Sequence, residues 1–414
     1  MRSTKKVKAD AVVIGGGASG MLCAAVAAER GLNVTLLEPN KMLGRKLRLT
    51  GKGRCNVTNN CDPKTVIANI AGDGRFMYSA IHRFSPERVM ALFEGLGVPL
   101  KTERGGRVFP ESDRSHDIAD ALIKYMKRGG VRVVHSRAKA ILTDSGGVCA
   151  VVTEDGEIGC AAAVVCTGGL SYPATGSTGD GYRLAASLGH TIVPTRQSLV
   201  PLESPDDWCA ELQGFSLKNV SLSAYEDDSL VYRALGEMLF THFGVSGPLV
   251  LSASANMRDF GHKKYRLSID LKPGLDEKRL DARLLRDFDK YSNREFRNAL
   301  SDLAGQAMIP VLVRLSKIPG DTRVNAITRA QRMSLLSLLK DFPVSVSGPR
   351  PIAEAVITAG GVSTGEIDPR TMSSKLVPGL YFAGEVLDLD AYTGGYNLQI
   401  AWSTGFAAGN SICH

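Results

Sequence analysis

The sequence lacks the paired-cysteine motifs that hold zinc, an iron–sulfur cluster or a redox-active dithiol. Its eight cysteines include no C-x-x-C and no C-x-x-x-x-C spacing, so such sites have no ligand framework. Cys23, Cys160 and Cys166 lie within apolar runs, where a small packed thiol is the usual role of cysteine. We therefore expect no metal site, reduced cysteines and a cytoplasmic protein.

Uninterrupted apolar segments are also absent. The uncharged runs at 158–179, 238–257 and 391–413 are broken by glycine, proline or hydroxyl residues, and none is typical of a membrane span. The basic start MRSTKKVK and the uncharged run from Ala11 to Ala28 imitate a secretory signal peptide. Three consecutive glycines and a serine interrupt that run, so we favour neither secretion nor a membrane partner.

The strongest local pattern runs from Ala11 to Glu38 and predicts a strand, a glycine-rich turn, a helix and a second strand. Gly15, Gly17 and Gly20 have G-x-G-x-x-G spacing, which suits a tight turn, a close approach to a pyrophosphate and helix-on-strand packing. Ala18 and Ser19 fall at the helix N-terminus, whose free N–H groups favour phosphate. Glu38 suits a ribose with free hydroxyls, so the pattern predicts FAD or NAD rather than NADP at this site.

Three later segments predict further cofactor contacts. The first is GRKLRLTGKGRCN after Glu38, the second is the T-G-G that ends an apolar strand, and the third is a C-terminal G-E element followed by a helix start. In FAD proteins such a helix points its N-terminus at the flavin. The predicted contacts are Pro39, Arg45, Lys46, Thr50, Gly51, Gly53, Arg54, Cys55 and Asn56, then Thr167, Gly168 and Gly169, then Gly384, Glu385, Gly394, Gly395, Tyr396, Asn397 and Leu398.

The net charge of +8 is unevenly distributed. Between Pro39 and Cys61 there are six basic residues and no acidic one. A patch of this kind can bind the phosphates of a cofactor or a polyanion such as RNA. Cofactor phosphates account for only some of these residues.

The chain pattern predicts an α/β protein with three parts. Residues 1–194 and 368–414 are expected to form one discontinuous FAD-binding domain, because strand–glycine–helix patterns occur at both ends of the chain. Short β-rich segments predict a β-barrel-like substrate domain at 195–272 and 341–367. Alternating charges at helical spacing predict a small helical insert at 273–340. We expect these charges to form a solvent-exposed face, and a surface that binds a partner is the alternative interpretation.

Six ordered motifs together resemble the BaiN/RdsA-type (YhiN-like) FAD-dependent oxidoreductases over nearly the full length. They are GGGASG with Glu38, GRKLRLTGKGRCNVTN, VVCTGGLSYPATGSTGDGY, LFTHFGVSGP, TAGGV and GLYFAGEVLDLDAYTGGYNLQIAWSTG. The resemblance implies a glutathione-reductase-type FAD-binding Rossmann domain with a β-barrel-like and a helical insert. It also implies reduced nicotinamide as electron donor. Lys52 departs from the glycine expected there, which allows an additional phosphate contact.

The resemblance leaves the substrate open. Members of the family are associated with reduction of uridine to dihydrouridine in large-subunit ribosomal RNA, with reduction of steroid-type enones, and with aminoacetone oxidation. We expect 23S rRNA as the leading substrate and no DNA partner. The alternatives are a small-molecule ene-reductase or amine oxidase, and an FAD-containing RNA-binding factor without turnover.

A proton donor is needed if an activated C=C bond is reduced. His242 is the first candidate, because THFG followed by SGP predicts a loop held close to another group; a structural role is the competing interpretation. Cys55 and Tyr396 are the next candidates. Since only one dinucleotide fingerprint is present, we expect NAD(P)H to bind transiently and leave before the substrate binds.

Overall fold

The computed structural model describes residues 7–413, and these divide into two units. The first comprises the chain up to Ser198 and from Ile352 onward, and the second is the continuous segment from Leu199 to Pro351. The predicted boundaries were 194/195 and 367/368, and the three-part division stays a prediction. The first six residues of the basic start, which imitated a signal peptide, lie outside the described range.

The strands are β1 (Val7–Ile14), β2 (Val34–Leu37), β3 (Thr58–Asn59), β4 (Leu100–Thr102), β5 (Arg107–Pro110), β6 (Arg132–Val134), β7 (Ala138–Asp144), β8 (Gly147–Thr153), β9 (Gly156–Val165), β10 (Ile192–Ser198), β11 (Leu202–Glu203), β12 (Ser216–Glu226), β13 (Ser229–Thr241), β14 (Gly244–Ser246), β15 (Tyr265–Asp270), β16 (Phe342–Val346), β17 (Gly348–Pro349), β18 (Ile357–Val362) and β19 (Leu380–Phe382).

The helices are α1 (Ala18–Glu29), α2 (Arg45–Leu49), α3 (Pro63–Ala68), α4 (Tyr78–Arg83), α5 (Pro86–Gly95), α6 (Ser115–Arg128), α7 (Asp180–Ser187), α8 (Asp207–Glu211), α9 (Pro248–Ser254), α10 (Glu277–Lys290), α11 (Phe296–Ala299), α12 (Ile309–Ser316), α13 (Arg329–Lys340) and α14 (Tyr396–Ser411).

The main sheet of the first unit joins the two ends of the chain. Its order is β6-β2-β1-β9-β8-β7, and β19 pairs with the end of β9 that β8 leaves free. Val165 of β9 is in register with Ile14 on one side and Phe382 on the other, both in parallel. The carboxyl ends of these three strands therefore meet at one edge, where ligands bind in folds of this kind.

Helices α1 and α14 pack with their backbones in close approach. A Cβ placed on Gly405 would lie 2.5 Å from the carbonyl oxygen of Ser19, and one on Gly409 would lie 2.7 Å from that of Cys23. Residues 19–28 of α1 are buried throughout, as expected for a helix that is apolar on every face. The small residues of the two helices thus set the distance between them.

The second unit is built on a curled antiparallel sheet. Its order is β16-β15-β12-β13-β14-β11-β17, and the two end strands are joined in the chain by a single residue, Ser347. The N–H of Ser347 donates to the carbonyl of Glu203 in β11 at 2.9 Å, so the sheet wraps back on itself. Helices α10 to α13 belong to the same unit. The predicted α/β fold class, with a barrel-like sheet and a helical insert, is confirmed.

Three further features concern the whole described range. Within residues 7–413, no helix combines the length and the apolar character that crossing a membrane requires. No group of three or more His, Cys, Asp and Glu side chains in that range is arranged to hold a metal ion. All eight cysteines are free thiols.

Candidate functional site

A deep cavity lies in the first unit at the carboxyl ends of β1 and β9. It encloses about 1040 Å³ of space, part of it open to solvent. Its walls come from the turn after β1, the segment after β2, helix α2, the loop after β9 and the first turns of α14. Segments from both ends of the chain therefore form one cavity.

The three fingerprint glycines have different surroundings. A Cβ on Gly17 would meet nothing within 4 Å, whereas one on Gly15 would lie 2.4 Å from the carbonyl oxygen of Cys166 and one on Gly20 would lie 1.9 Å from that of Gly15. Gly17 is the N-cap of α1 and has no side-chain cap. The first N–H groups of α1 thus face open space and, with the helix dipole, favour an anion.

Glu38 is fixed beside the glycine-rich turn by hydrogen bonds to both carboxylate oxygens. Oε2 accepts from the N–H of Gly16 at 2.9 Å, and Oε1 accepts from the backbone N–H and the side-chain amide of Asn40 at 2.9 and 2.6 Å. Arg45 donates to the amide oxygen of Asn40 at 2.7 Å. A carboxylate has about four acceptor sites, so roughly one remains for a ligand hydroxyl.

Lys46 and Glu385 form an ion pair across the cavity wall. Lys46 Nζ lies 2.6 Å from Glu385 Oε2 and donates to Ser171 Oγ at 2.8 Å. Ser171 Oγ and the N–H of Thr358 both donate to Glu385 Oε1, each at 2.9 Å. The pair joins α2, the loop after β9 and the segment after β19 at the cavity.

Helix α14 directs its first turn at the same cavity. Its N-cap, Gly395, has φ +101°, and a Cβ there would lie 2.4 Å from the carbonyl oxygen of Thr58. Asn397 holds the preceding loop by accepting from the N–H and donating to the carbonyl of Ala391, at 2.9 and 2.7 Å. Asn397 and Leu398 line the cavity, so two helix N-termini contribute to it.

Thr167, in the loop after β9, also contributes to the lining. Thr167 Oγ1 is buried without a hydrogen bond to any residue of the described range. A buried polar atom of this kind usually has a partner. The Thr167 hydroxyl lies against Gly181, where a Cβ would be 2.1 Å away, and has almost no accessible surface, so it packs behind the wall and does not face the cavity. The anion site at α1 and the carboxylate of Glu38 fit a dinucleotide that carries both phosphates and hydroxyls.

The structure brings about half of the predicted cofactor contacts into the cavity wall. Those that line it are Gly15, Gly17, Ala18, Ser19, Glu38, Arg45, Lys46, Thr50, Thr167, Gly168, Glu385, Asn397 and Leu398. The others do not line it: Gly20, Pro39, Gly51, Gly53, Arg54, Cys55, Asn56, Gly169, Gly384, Gly394, Gly395 and Tyr396. Contact with a cofactor stays a prediction for both groups.

Several residues outside the lining have evident local roles. Pro39 lines a smaller adjoining cavity. A Cβ on Gly169 would lie 2.4 Å from Thr358 Oγ1, and one on Gly384 would lie 2.5 Å from Ser19 Oγ. Arg54 is paired with Glu103 and with Asp113, 2.7 Å away. Close packing at Gly169 and Gly384 and ion pairing at Arg54 thus account for these three positions without a ligand.

Fourteen residues of the cavity wall were not predicted from the sequence. They are Gly16, Asn40, Met42, Gly44, Leu47, Cys166, Thr175, Gly176, Ser177, Val356, Ile357, Leu389, Ile400 and Ala401. Asn40 follows Glu38 by two positions, and Thr175 to Ser177 lie in the glycine-rich loop after β9. Their position next to two predicted cofactor-binding motifs was the signal from which they could have been predicted. Val356, Ile357 and Leu389 carried no such signal.

The three candidate proton donors have different environments. Cys55 is completely buried, and burial raises the pKa of its thiol to about 12. Tyr396 is also buried, and burial raises the pKa of its phenol to about 12. His242 is exposed in the second unit, at the turn after β13, with its ring against that of Phe243. A catalytic role stays a prediction for each.

Fold and cavity define a Rossmann-type, FAD-dependent oxidoreductase, which is the predicted class of enzyme. The chain belongs to the family described as HI0933-like protein Rossmann domain, whose model matches residues 9–411. The resemblance stated from the six motifs is thereby confirmed.

Individual relatives cover nearly the same length. The chain is 33% identical to a ribosomal RNA dihydrouridine synthase of Escherichia coli (strain K12), over 97% of this chain and 98% of that protein. It is 30% identical to a 3-dehydro-bile acid delta(4,6)-reductase of Clostridium scindens, over 96% of this chain and 98% of that protein.

A solved structure shares the fold at low identity. The 3-ketosteroid-delta4-(5alpha)-dehydrogenase of Rhodococcus jostii RHA1 superposes with a TM-score of 0.53 and 15% identity, over 99% of this chain and 98% of that one. Identity at this level shows common architecture alone.

Proposed function

We propose that this protein uses NAD(P)H and FAD to reduce an activated C=C bond, and that its substrate is uridine in 23S rRNA, which becomes dihydrouridine. The observation that carries the proposal is the full-length match to a ribosomal RNA dihydrouridine synthase at 33% identity. The basic segment between Pro39 and Cys61 gives only limited support for a polyanionic substrate, because Lys46, Arg48 and Arg54 are ion-paired with carboxylates from other parts of the chain.

The cavity residues would hold the cofactor by distinct interactions. The N-terminus of α1 would bind the pyrophosphate, Glu38 would accept from a ribose hydroxyl, and the N-terminus of α14 would stabilise negative charge on the reduced ring system. When bound, FAD supplies hydride chemistry between the nicotinamide and the C=C bond. Because the sequence has one fingerprint, nicotinamide and substrate would use the site in turn.

The protein itself must supply a proton to C5 of uracil while C6 receives the hydride. We favour His242, because its exposed side chain can recover a proton from solvent after each turnover. Cys55 and Tyr396 release a proton less readily than an ordinary thiol or phenol, since burial raises the pKa of each to about 12. For rRNA, the target base must also leave its stack to reach a buried site.

Mass spectrometry of 23S rRNA tests the proposal. A strain that lacks the gene is expected to lose one dihydrouridine, and the wild-type gene is expected to restore it. His242→Gln should restore little, whereas His262→Gln, which changes another exposed histidine of the second unit, should restore it fully. A deletion strain that keeps all of its dihydrouridine would refute the rRNA substrate.

A second candidate, a small-molecule ene-reductase, is favoured by the 30% identity to a bile-acid reductase. Substrate-stimulated oxidation of NAD(P)H separates the two candidates. If the rRNA proposal holds, an RNA fragment stimulates the reaction and a steroid enone does not.

A further inference from the structure

An arginine-lined cleft lies on the second unit, within its helical part. It is open to solvent and encloses about 1000 Å³. Arg294, Arg297 and Arg323 line it, and all three are exposed. Glu295 is the one acidic residue in its lining.

Backbone pairing places the arginines together. The N–H of Phe296 donates to the carbonyl of Thr322 at 2.8 Å, and the N–H of Val324 donates to that of Arg294 at 3.0 Å. Two segments distant in sequence thus run side by side. Their arginines are presented from a fixed backbone, which limits the ordering cost of binding.

The positive charge of the cleft is only partly neutralised. Glu295 lies 2.8 Å from Arg297. Arg294 instead lies over the ring of Tyr291, 4.8 Å from its centroid, and Arg323 donates to the neutral carbonyl of Asn293. The surrounding segment, 273–340, has 13 Lys and Arg against 8 Asp and Glu. This part of the chain therefore carries most of the net charge of +8.

The chemistry of the lining favours RNA over a small anion or a protein. Exposed guanidinium groups hold a single phosphate weakly, but they bind a polyanion strongly because many contacts add and counterions are released. Asn298, Ser301 and Gln306 supply neutral donors and acceptors that suit 2′-hydroxyls and base edges. The single apolar residue in the lining, Ile309, is buried, whereas protein interfaces have an apolar or aromatic centre.

We propose that this arginine cleft is a docking surface for the phosphate backbone of single-stranded or looped RNA, separate from the FAD cavity. The proposal rests on the proposed RNA substrate and extends it, because it assigns binding energy to residues that contact no reacting atom. Arg294 and Arg297 supply the phosphate contacts, and the neutral side chains contact the sugar and base edges.

Binding of a 23S rRNA fragment to the holoenzyme, measured by fluorescence anisotropy at several salt concentrations, tests the proposal. The cleft variant is Arg294→Gln with Arg297→Gln. The matched control is Arg286→Gln with Arg279→Gln, two exposed arginines of α10 that do not line the cleft. In each double variant, one of the two arginines has a carboxylate partner in the wild type. Arg279 lies 3.7 Å from Asp276, and Arg297 lies beside Glu295. FAD content and the unfolding midpoint verify that all variants are folded.

The cleft variant is expected to bind at least about tenfold more weakly, and the slope of log affinity against log salt should fall by about 1.5, since each lost phosphate contact contributes roughly 0.7 to 0.9. The control should remain within about twofold of wild type. A pair that keeps the charge, Arg294→Lys with Arg297→Lys, should retain most of the slope. Equal losses in the cleft and control variants, no loss in either, or competition by polyglutamate as effective as that by RNA would overturn the proposal.

The same preparations separate this proposal from the proposed function. If wild type forms dihydrouridine and the cleft variant binds RNA normally, the docking surface is wrong and the function stands. If RNA binding depends on the cleft but no RNA is reduced, the function is wrong and the docking surface stands. Failure of wild type to bind RNA at all rejects the docking surface.

Discussion

Gly17 and Gly20 belong to one fingerprint but differ in their surroundings, and the same substitution should affect them differently. Gly17→Ala places a methyl group where no atom lies within 4 Å. We expect the apoprotein to keep its stability and to lose at least about tenfold in FAD affinity, or about 1.4 kcal/mol, because the methyl group occupies space near the N-terminus of α1. Titration with FAD and thermal unfolding measure the two effects.

Gly20→Ala is the matched control. Its methyl group would lie 1.9 Å from the carbonyl oxygen of Gly15, so the strand–turn–helix unit must shift and the unfolding midpoint should fall by several degrees. Equal loss of stability in both variants would mean that the space beside Gly17 is not available to a ligand.

Lys52 has a backbone conformation that suits glycine. Its φ is +59°, between Gly51 and Gly53, and an L-residue in this region loses about 1 kcal/mol or more. Lys52→Gly removes that strain and adds unfolded-state entropy, so we expect a stability gain of a few tenths to about 1 kcal/mol. Denaturant unfolding checks the gain. Lys52 does not line the cavity, so FAD affinity should be unchanged; a marked loss would support the predicted phosphate contact instead.

Among the helices, the close packing of α1 on α14 links stability to cofactor binding. Gly405→Ala pushes a methyl group against the carbonyl of Ser19, which would be 2.5 Å away. The two helix N-termini at the cavity would then separate, so unfolding free energy and FAD affinity should fall together. Gly95→Ala is the control, since a Cβ at this position of α5 meets nothing within 4 Å, and it should stabilise by about 0.5–1 kcal/mol. A Gly405→Ala protein with normal FAD affinity would contradict the link.

His190, just after α7, joins two distant turns through a buried network. Its Nδ1 lies 3.0 Å from Glu366 and its Nε2 lies 2.8 Å from Ser374 Oγ. Ser374 Oγ already accepts from the N–H groups of Leu376 and Val377, so its hydrogen points to Nε2 and the imidazole is neutral. The arrangement resembles a Ser–His–Glu triad, but the serine oxygen has no lone pair left for nucleophilic attack.

This network should make stability depend on pH. Burial lowers the pKa of His190 below its ordinary value of 6.5, and the hydrogen bond with Glu366 offsets this only in part. As pH falls below 6.5, His190 therefore takes up a proton more readily in the unfolded chain than in the folded protein. The free energy of unfolding then decreases with falling pH, by at most about 1.4 kcal/mol per pH unit. Denaturant unfolding from pH 8 to 5 should show this fall in wild type and a flatter curve for His190→Gln. Parallel curves would exclude His190 as the cause.

Local patterns made part of the site predictable, because a strand–turn–helix that approaches phosphate needs glycine at fixed positions. The ion pair of Lys46 and Glu385 was not predictable, since its partners are 339 positions apart and carry no local signature. The path of the loop after β9 depends on a tertiary contact, in which Asn40 donates to the carbonyl of Thr175 at 3.4 Å.

The β-pattern around 197–202 contains parts of two strands, β10 and β11, which belong to different units. Strand pattern alone does not reveal which partner a strand selects.

The continuous second unit can be removed without breaking a strand of the first. Ser198 of β10 is paired with Ile357 of β18, so joining Ser198 directly to Ile352 leaves the five residues 352–356 as a hairpin loop, a length common in antiparallel pairs. The buried apolar residues also form separate clusters: one lies within the first unit, and two others lie within the second.

Deletion of Leu199–Pro351 should therefore leave a soluble fragment that binds FAD, seen as a yellow protein with about one flavin per chain by absorbance. The same fragment should lose RNA affinity, because the arginine cleft is removed with the second unit. The fragment with Gly17→Ala is the control and should be largely colourless. A colourless parent fragment would show that residues outside the first unit are required to hold the cofactor, and undiminished RNA binding would show that the first unit, with its basic segment after Pro39, supplies the main RNA contacts.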